Sequence, residues 1–208
     1  MRETFLATVD SARPLLDHPA LPQRWNDPSA LERMTIGALT AHLSRAVKLV
    51  PRYLDTRAEP PYRDAPGYFL SFAGQIDTDL DSEIAVAVRS RAEEQSAAGL
   101  SAVLIGWDTA RRELDTRLTP GTEERGISVL GSSMRVADYL VTRTVELVIH
   151  SDDLAASLGV DPPDFDGEAF SAVISCLIEM AARRSSPLAL IRAMTRVERS
   201  DPGVLRVL

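Results

Sequence analysis

Apolar residues recur at helical spacing along almost the whole chain, and clean two-residue alternation is nearly absent. A repeat near 3.6 residues buries one face of a helix, whereas a half-buried strand needs a repeat of two. The chain is therefore expected to be all-α. Residues 1–17 predict a first helix, stopped around Pro19 and Pro22. A second is predicted from Thr35 to Arg57, bent at Pro51. Residues 58–79 hold Pro60, Pro61 and Pro66 and read as a long ordered loop. Ser90 followed by Glu93 reads as a capping box opening a helix from about 91 to 118. Pro120 and Gly121 close it, 119–132 reads as loop, and a fourth helix is predicted over 133–158, ended by Gly159. After Asp166 a fifth spans 167–184, and Ser186-Pro187 opens a sixth. The predicted architecture is an antiparallel bundle of four long helices with additional C-terminal helices, in one domain over 1–208 whose end, from about 160, is a short extension.

Composition narrows the function classes. The 208 residues suit a single core, and 45% hydrophobic with 25% charged residues is ordinary for a water-soluble fold. A net charge of −7, with basic residues scattered among acids, disfavours nucleic acid as a partner. No run approaches the roughly 18 apolar residues of a membrane span, and MRETFLATVDSARPLL lacks the apolar centre of a secretory signal. The single cysteine, Cys176, excludes an internal disulfide framework. These features predict a cytoplasmic location. Nothing in the sequence sets the oligomeric state, and a homodimer stays open.

Chemistry concentrates in three residues. His42 lies on the apolar face of the second helix, within about 60° of Thr35, Ala38, Leu39, Ala46, Leu49 and Tyr53, while Arg45, Lys48 and Arg52 are read on the other side. A buried imidazole needs a partner; that could be a carbonyl or hydroxyl of the core, or a metal. Glu146 and His150 are one turn apart and can share an ion. Their strip also carries Tyr139, Arg143, Asp153 and Ser157, so it could equally be a solvated face of ordinary charge pairs. If His42 meets the Glu146–His150 pair, two histidines and a carboxylate can hold a divalent metal and leave a position open for chemistry. Arg143 or Asp153, about a turn from a ligand, could orient it or meet a charged cofactor, or could simply form surface ion pairs. The spacing is E-x-x-x-H, so neither the H-E-x-x-H nor the E-x-x-H pattern applies, and no G-x-S-x-G or phosphate loop is present. Cys176 lies in the apolar AVISCLIEM and reads as core rather than nucleophile. His18 reads as exposed, and Trp25 and Trp107 as core, with Trp107 also able to wall a pocket.

Two stretches carry a resemblance. ALERMTIGALTAHLSRAVKLVPRYL resembles the second helix of the mycothiol-dependent maleylpyruvate isomerase N-terminal domain family, within the DinB-like metalloprotein superfamily. MRVADYLVTRTVELVIHSDDLAASLGV is similar to that family's later signature, and ALIRAMTRVERSDPGVLRVL resembles the ending of shorter members. The resemblance implies a DinB-like bundle and a divalent metal, usually zinc, held by His42, Glu146 and His150. It also implies mycothiol as a thiol cofactor and a small electrophile as substrate. The isomerase proper has a separate C-terminal domain contributing to thiol binding, for which the stretch after Gly159 is too short. S-transfer or isomerisation of an electrophile other than maleylpyruvate is accordingly the expectation. A metal-assisted hydrolase, or a non-enzymatic helical binding module with a structural metal, are the alternatives.

Overall fold

A computed structural model of the protein describes residues 1–72, 80–199 and 201–208. Helix α1 (Arg2–Ala12) tightens into a 3-10 turn over Arg13–Asp17, where Pro14 removes a backbone donor. A single-turn α2 (Ala20–Gln23) follows. Helix α3 (Ile36–Leu54) opens on Thr35, whose hydroxyl accepts the Ala38 N–H at 3.1 Å. It is buried on almost every side, including Thr40 and Ser44, whose hydroxyls turn back onto the Ile36 and Ala41 carbonyls.

The span expected to be loop from 58 contains a further helix, α4 (Ala65–Leu70), started by Asp64 accepting from Gly67 and by Pro66 in its first turn. The end of that expected loop, 73–79, lies outside the described residues. The helix expected to open at Ser90 is instead two helices. α5 (Glu83–Ser96) is capped by Ser82, and Ser90 sits within it. α6 (Gly99–Arg117) starts after a break at Gly99, whose φ of +80° is a left-handed conformation that glycine adopts at no steric cost. The two strands β1 (Gly126–Val129) and β2 (Ser132–Arg135) fill part of the other expected loop, joined by Leu130-Gly131, both with positive φ, as a two-residue hairpin requires. β2 delays the fourth long helix, α7 (Val136–Leu158), which ends at Gly159. α8 (Gly167–Arg184) and α9 (Pro187–Thr195) start on the caps Asp166 and Ser186, as expected.

The long helices α1, α3, α6 and α7 make the bundle. α3 and α7 run antiparallel, since His42 meets His150 at one end and Tyr53 meets Tyr139 at the other. α1 and α6 also run antiparallel, with Arg13 paired to Asp108 and Asp10 to Arg111. The α3-to-α6 connection, which carries α4 and α5, is a crossover, because the contacts Lys48–Gly106 and Asp55–Arg117 advance in the same direction. Trp107 is fully buried in the main core. A second cluster joins α4, α8 and α9 to α7 through Phe69, Val145, Cys176, Met180 and Leu190. Among the described residues no helix is long and apolar enough to cross a membrane.

Candidate metal centre

The two helices that run antiparallel at the centre of the bundle each contribute to one cluster. α3 supplies His42, and α7 supplies Glu146 and, one turn later, His150. The His42 and His150 rings meet edge to face at 4.8 Å. Nε2 of His42 lies 3.7 Å and Nε2 of His150 3.2 Å from the same oxygen, Oε2 of Glu146. Donors around a tetrahedral ion with arms of about 2.0–2.2 Å are separated by about 3.3–3.6 Å, so the spacing suits such an ion. One ligand atom from each of the three residues falls within a group spanning no more than 4.8 Å.

The neighbours favour this use of the imidazoles. Asp153 Oδ2 sits 3.0 Å from Nδ1 of His150, which places the proton on Nδ1 and directs Nε2 at Glu146. His42 Nδ1 is buried without a hydrogen-bond partner among the described residues, so that ring's polar contact is made through Nε2. The three side chains remain 17–23% exposed, buried enough to be held in place and open enough to be reached. No further His, Cys, Asp or Glu joins the group among the described residues.

The electrostatics are those of a coupled cluster. Burial alone would raise the Glu146 carboxyl, but the contacts from His150 and His42 and the Arg143 charge outweigh it and hold the carboxyl well below its ordinary value. Burial lowers His150, yet Asp153 and Glu146 carry it up to about 9. Burial dominates at His42 and pushes it down, with Glu146 opposing.

Arg143 is only 9% exposed, so it is no surface ion pair. Its Nη2 lies 3.8 Å from Glu146 Oε1, its Nε donates to Thr142 Oγ1, and its guanidinium stands 5.0 Å above the Tyr139 ring. Sequence reasoning placed Arg45 on the far side of its helix. In the structure it is half-buried, its charge bears on His42, and burial, then the charges of Arg91 and Arg143, lower its own proton affinity. The overlooked signal is its i+3 relation to His42, which makes the two adjacent on a helix surface. Tyr53, Tyr68 and Tyr139 were likewise unassigned, and they gather at the Arg143 end of the seam.

Other flagged residues take structural roles. Cys176 is buried, and burial pushes its thiol up to about 11. His18, expected to be exposed, is half-buried and accepts the Ala20 N–H at 3.3 Å through Nδ1. Trp25 lies against Gly37 and donates to the Ser96 carbonyl.

Bundle and cluster together define a class: an all-α, DinB-like fold with two histidines and a glutamate gathered on antiparallel helices. Residues 6–155 match the model of the mycothiol maleylpyruvate isomerase N-terminal domain, and the chain belongs to that family. The matched span contains His42, Glu146 and His150 and ends within α7. No curated protein and no solved structure matches the chain.

Proposed function

We propose that this protein is a divalent-metal-dependent enzyme that uses a low-molecular-weight thiol of the mycothiol type for S-transfer to, or isomerisation of, a small electrophile. The observation that carries the reading is the convergence of His42 Nε2 and His150 Nε2 on Glu146 Oε2, at 3.7 and 3.2 Å, in a cluster that stays partly exposed. These three residues are the proposed ligands, and zinc is the proposed ion, because two imidazoles and one carboxylate suit it and leave room for an exogenous ligand. When bound, the ion supplies Lewis acidity that favours the deprotonated thiol, the form that attacks carbon.

The protein's own residues do the rest. Asp153 fixes the tautomer and orientation of His150. Arg143 steadies the second oxygen of Glu146, leaving Oε2 facing the imidazoles. The chain provides no covalent nucleophile in this scheme, since Cys176 is buried in the second core cluster with its thiol pushed up. Partial exposure and a three-member donor set favour an enzyme over a module with a sealed structural ion. A single domain acting in the cytoplasm, where such thiols are kept reduced, completes the proposal.

Calorimetry with zinc-loaded wild type and Glu146→Ala, titrated with mycothiol and glutathione, tests it. Mycothiol is expected to bind only the loaded wild type, more tightly than glutathione does, and to bind less as pH falls because protons compete for thiolate and imidazoles. Equal binding to both proteins, or none to either, overturns the thiol reading. Turnover of an ester or amide without thiol would point instead to metal-assisted hydrolysis by the same residues.

A further inference from the structure

Exposed apolar side chains are concentrated toward the C-terminal end of the chain. Of the twelve large hydrophobic residues that stand exposed among the described residues, nine fall between Phe170 and Leu208. On α8 they form a single row, Phe170, Ile174 and Ile178, at 42%, 53% and 40% exposure and at intervals of four residues. Rows of that spacing are the ridges by which helices pack, and Ser171 and Ser175, exposed beside the row, leave the groove that an opposing ridge enters. α9 adds Leu188, Ile191 and Met194 to the same layer. Such a side chain offers roughly 150–200 Å², so six of them at 40–59% exposure leave about 500 Å² of apolar area. That is close to the apolar two-thirds of the roughly 800 Å² that each partner of a stable interface buries.

The row is flanked by opposite charges. Residues 161–168, which lead into α8, hold four acids, Asp161, Asp164, Asp166 and Glu168, and no base. Residues 183–208, beginning with Arg183 and Arg184 in the last turn of α8, hold six arginines against two acids. Ile174 stands midway, four residues from Phe170 and from Ile178, and ten from Asp164 and from Arg184. Beyond Phe170 the surface sinks into an apolar hollow that this ring walls together with Val148, Ile149 and Phe165. A second copy laid antiparallel across the face is therefore complementary in three respects. Its basic end meets the acidic end, its Ile178 end meets the hollow at Phe170, and its row interlocks with the first about a two-fold axis at Ile174. Opposed helix dipoles favour the same arrangement. The arginines alone would suit an anionic membrane, but the acids at the other end of the row would be repelled by one.

We infer that the outer face of α8 is the contact surface of a two-fold symmetric homodimer, with Phe170 of each copy against Ile178 of the other and Ile174 against its own counterpart. The contact is isologous, so it closes at two copies and leaves no face free to propagate a chain of them. The surface belongs to the part of the chain beyond the family match, which ends at residue 155. It contains none of His42, Glu146 and His150, and the inference is independent of the proposed metal chemistry.

Sedimentation velocity of the full chain, over concentrations up to the high micromolar range, should show a reversible monomer–dimer equilibrium. Ile174→Asp places two like charges on the axis and should raise the dimer dissociation constant about tenfold or more, because the centre of an interface carries most of its energy. Ile105→Asp, at a 68% exposed position of α6, should leave it unchanged. Crosslinking tests the geometry independently. In a Cys176→Ala background, Ile174→Cys should be joined to a second copy of itself by a bis-maleimide with a short spacer. Phe170→Cys alone should not, whereas a mixture of Phe170→Cys and Ile178→Cys should yield the mixed pair. A wild type that stays monomeric throughout overturns the inference and leaves the face to another occupant. A dimer that Ile174→Asp does not weaken also overturns it, since another surface then makes the contact. A dimer that crosslinks through Phe170→Cys alone overturns the antiparallel arrangement. Should Ile174→Asp fail to fold, seen as lost helical circular dichroism, Ile174→Ser and the crosslinks decide the same question.

Discussion

The α3/α7 seam and the α8/α9 layer are both built from amphipathic helices, but they spend their side chains differently. The seam buries Arg143, Tyr139, Thr142 and Ser151 and brings two imidazoles against a carboxylate. The C-terminal layer does the reverse. Its buried members, Val173, Cys176 and Met180, are apolar, and on its outer side Phe170, Ile174 and Ile178 stand 40–53% exposed at four-residue intervals. The family match ends at residue 155, before that layer begins. Polar groups are expensive to bury, so a cluster of them in the middle of a bundle marks chemistry, whereas apolar burial in a peripheral layer needs only packing as its cause. Cys176 illustrates the point: a potentially reactive group placed in the packing layer has a raised thiol and no histidine beside it.

The largest contrast concerns metal. Zinc uptake measured by elemental analysis should fall from about one ion per chain to background in His42→Ala or Glu146→Ala, since a site with three protein ligands does not survive the loss of one. Cys176→Ala should leave it unchanged. Retention of zinc by both ligand variants would erase the chemical distinction between the two regions.

Packing gives the next largest effect. Leu147→Ala, at a fully buried position of α7, should cost about 2–5 kcal/mol in denaturant unfolding. Ile174→Ala, at a position 53% exposed, should stay within about 0.5 kcal/mol of wild type when the protein is dilute enough for its copies to separate. Comparable losses at the two positions would show that the outer side of α8 is covered within one chain.

Protonation should distinguish the seam again, by a smaller amount. In zinc-free protein His150 is raised to about 9 from 6.5, so its contribution is full below pH 6.5 and is lost as pH rises through 9. His42, lowered by burial, acts oppositely: its contribution is present above pH 6.5 and lost as pH falls. Glu146, held well below 4.5, likewise contributes above that value and loses its contribution in acid. Stability of the zinc-free protein should therefore peak at about pH 6–7 and decline by on the order of 1–3 kcal/mol toward pH 9. Asp153→Asn should flatten the alkaline decline. An unchanged decline in that variant would detach Asp153 from His150.

The smallest effect separates the regions by consequence rather than size. Thr35→Ala and Asp166→Ala each remove a helix cap and should each cost about 1 kcal/mol. Only Thr35→Ala, at the start of the helix that carries His42, should also weaken zinc affinity. Equal affinity loss in both would mean that α8 supports the cluster as strongly as α3 does.

The sequence by itself determined the helical class, the helix starts near Thr35, Asp166 and Ser186, the stop at Gly159, and the Glu146–His150 pair. These rest on short-range physics: side-chain periodicity, hydrogen bonds to the first turn, and neighbours one turn apart. It misplaced the opening of α5, because Ser90 and Glu93 fit a capping box wherever the chain happens to turn, while the actual break depends on Gly99 taking a positive φ. It missed α4 and the β1–β2 hairpin, whose few residues offer too little periodicity to read. Tertiary structure alone decided that His42 meets His150, that Arg143 is buried rather than surface-paired, and that Arg45 is half-buried rather than turned to the far side. Those facts depend on how two helices more than eighty residues apart are rotated against each other. That rotation is set by the packing of the whole core, and no local pattern in either helix encodes it.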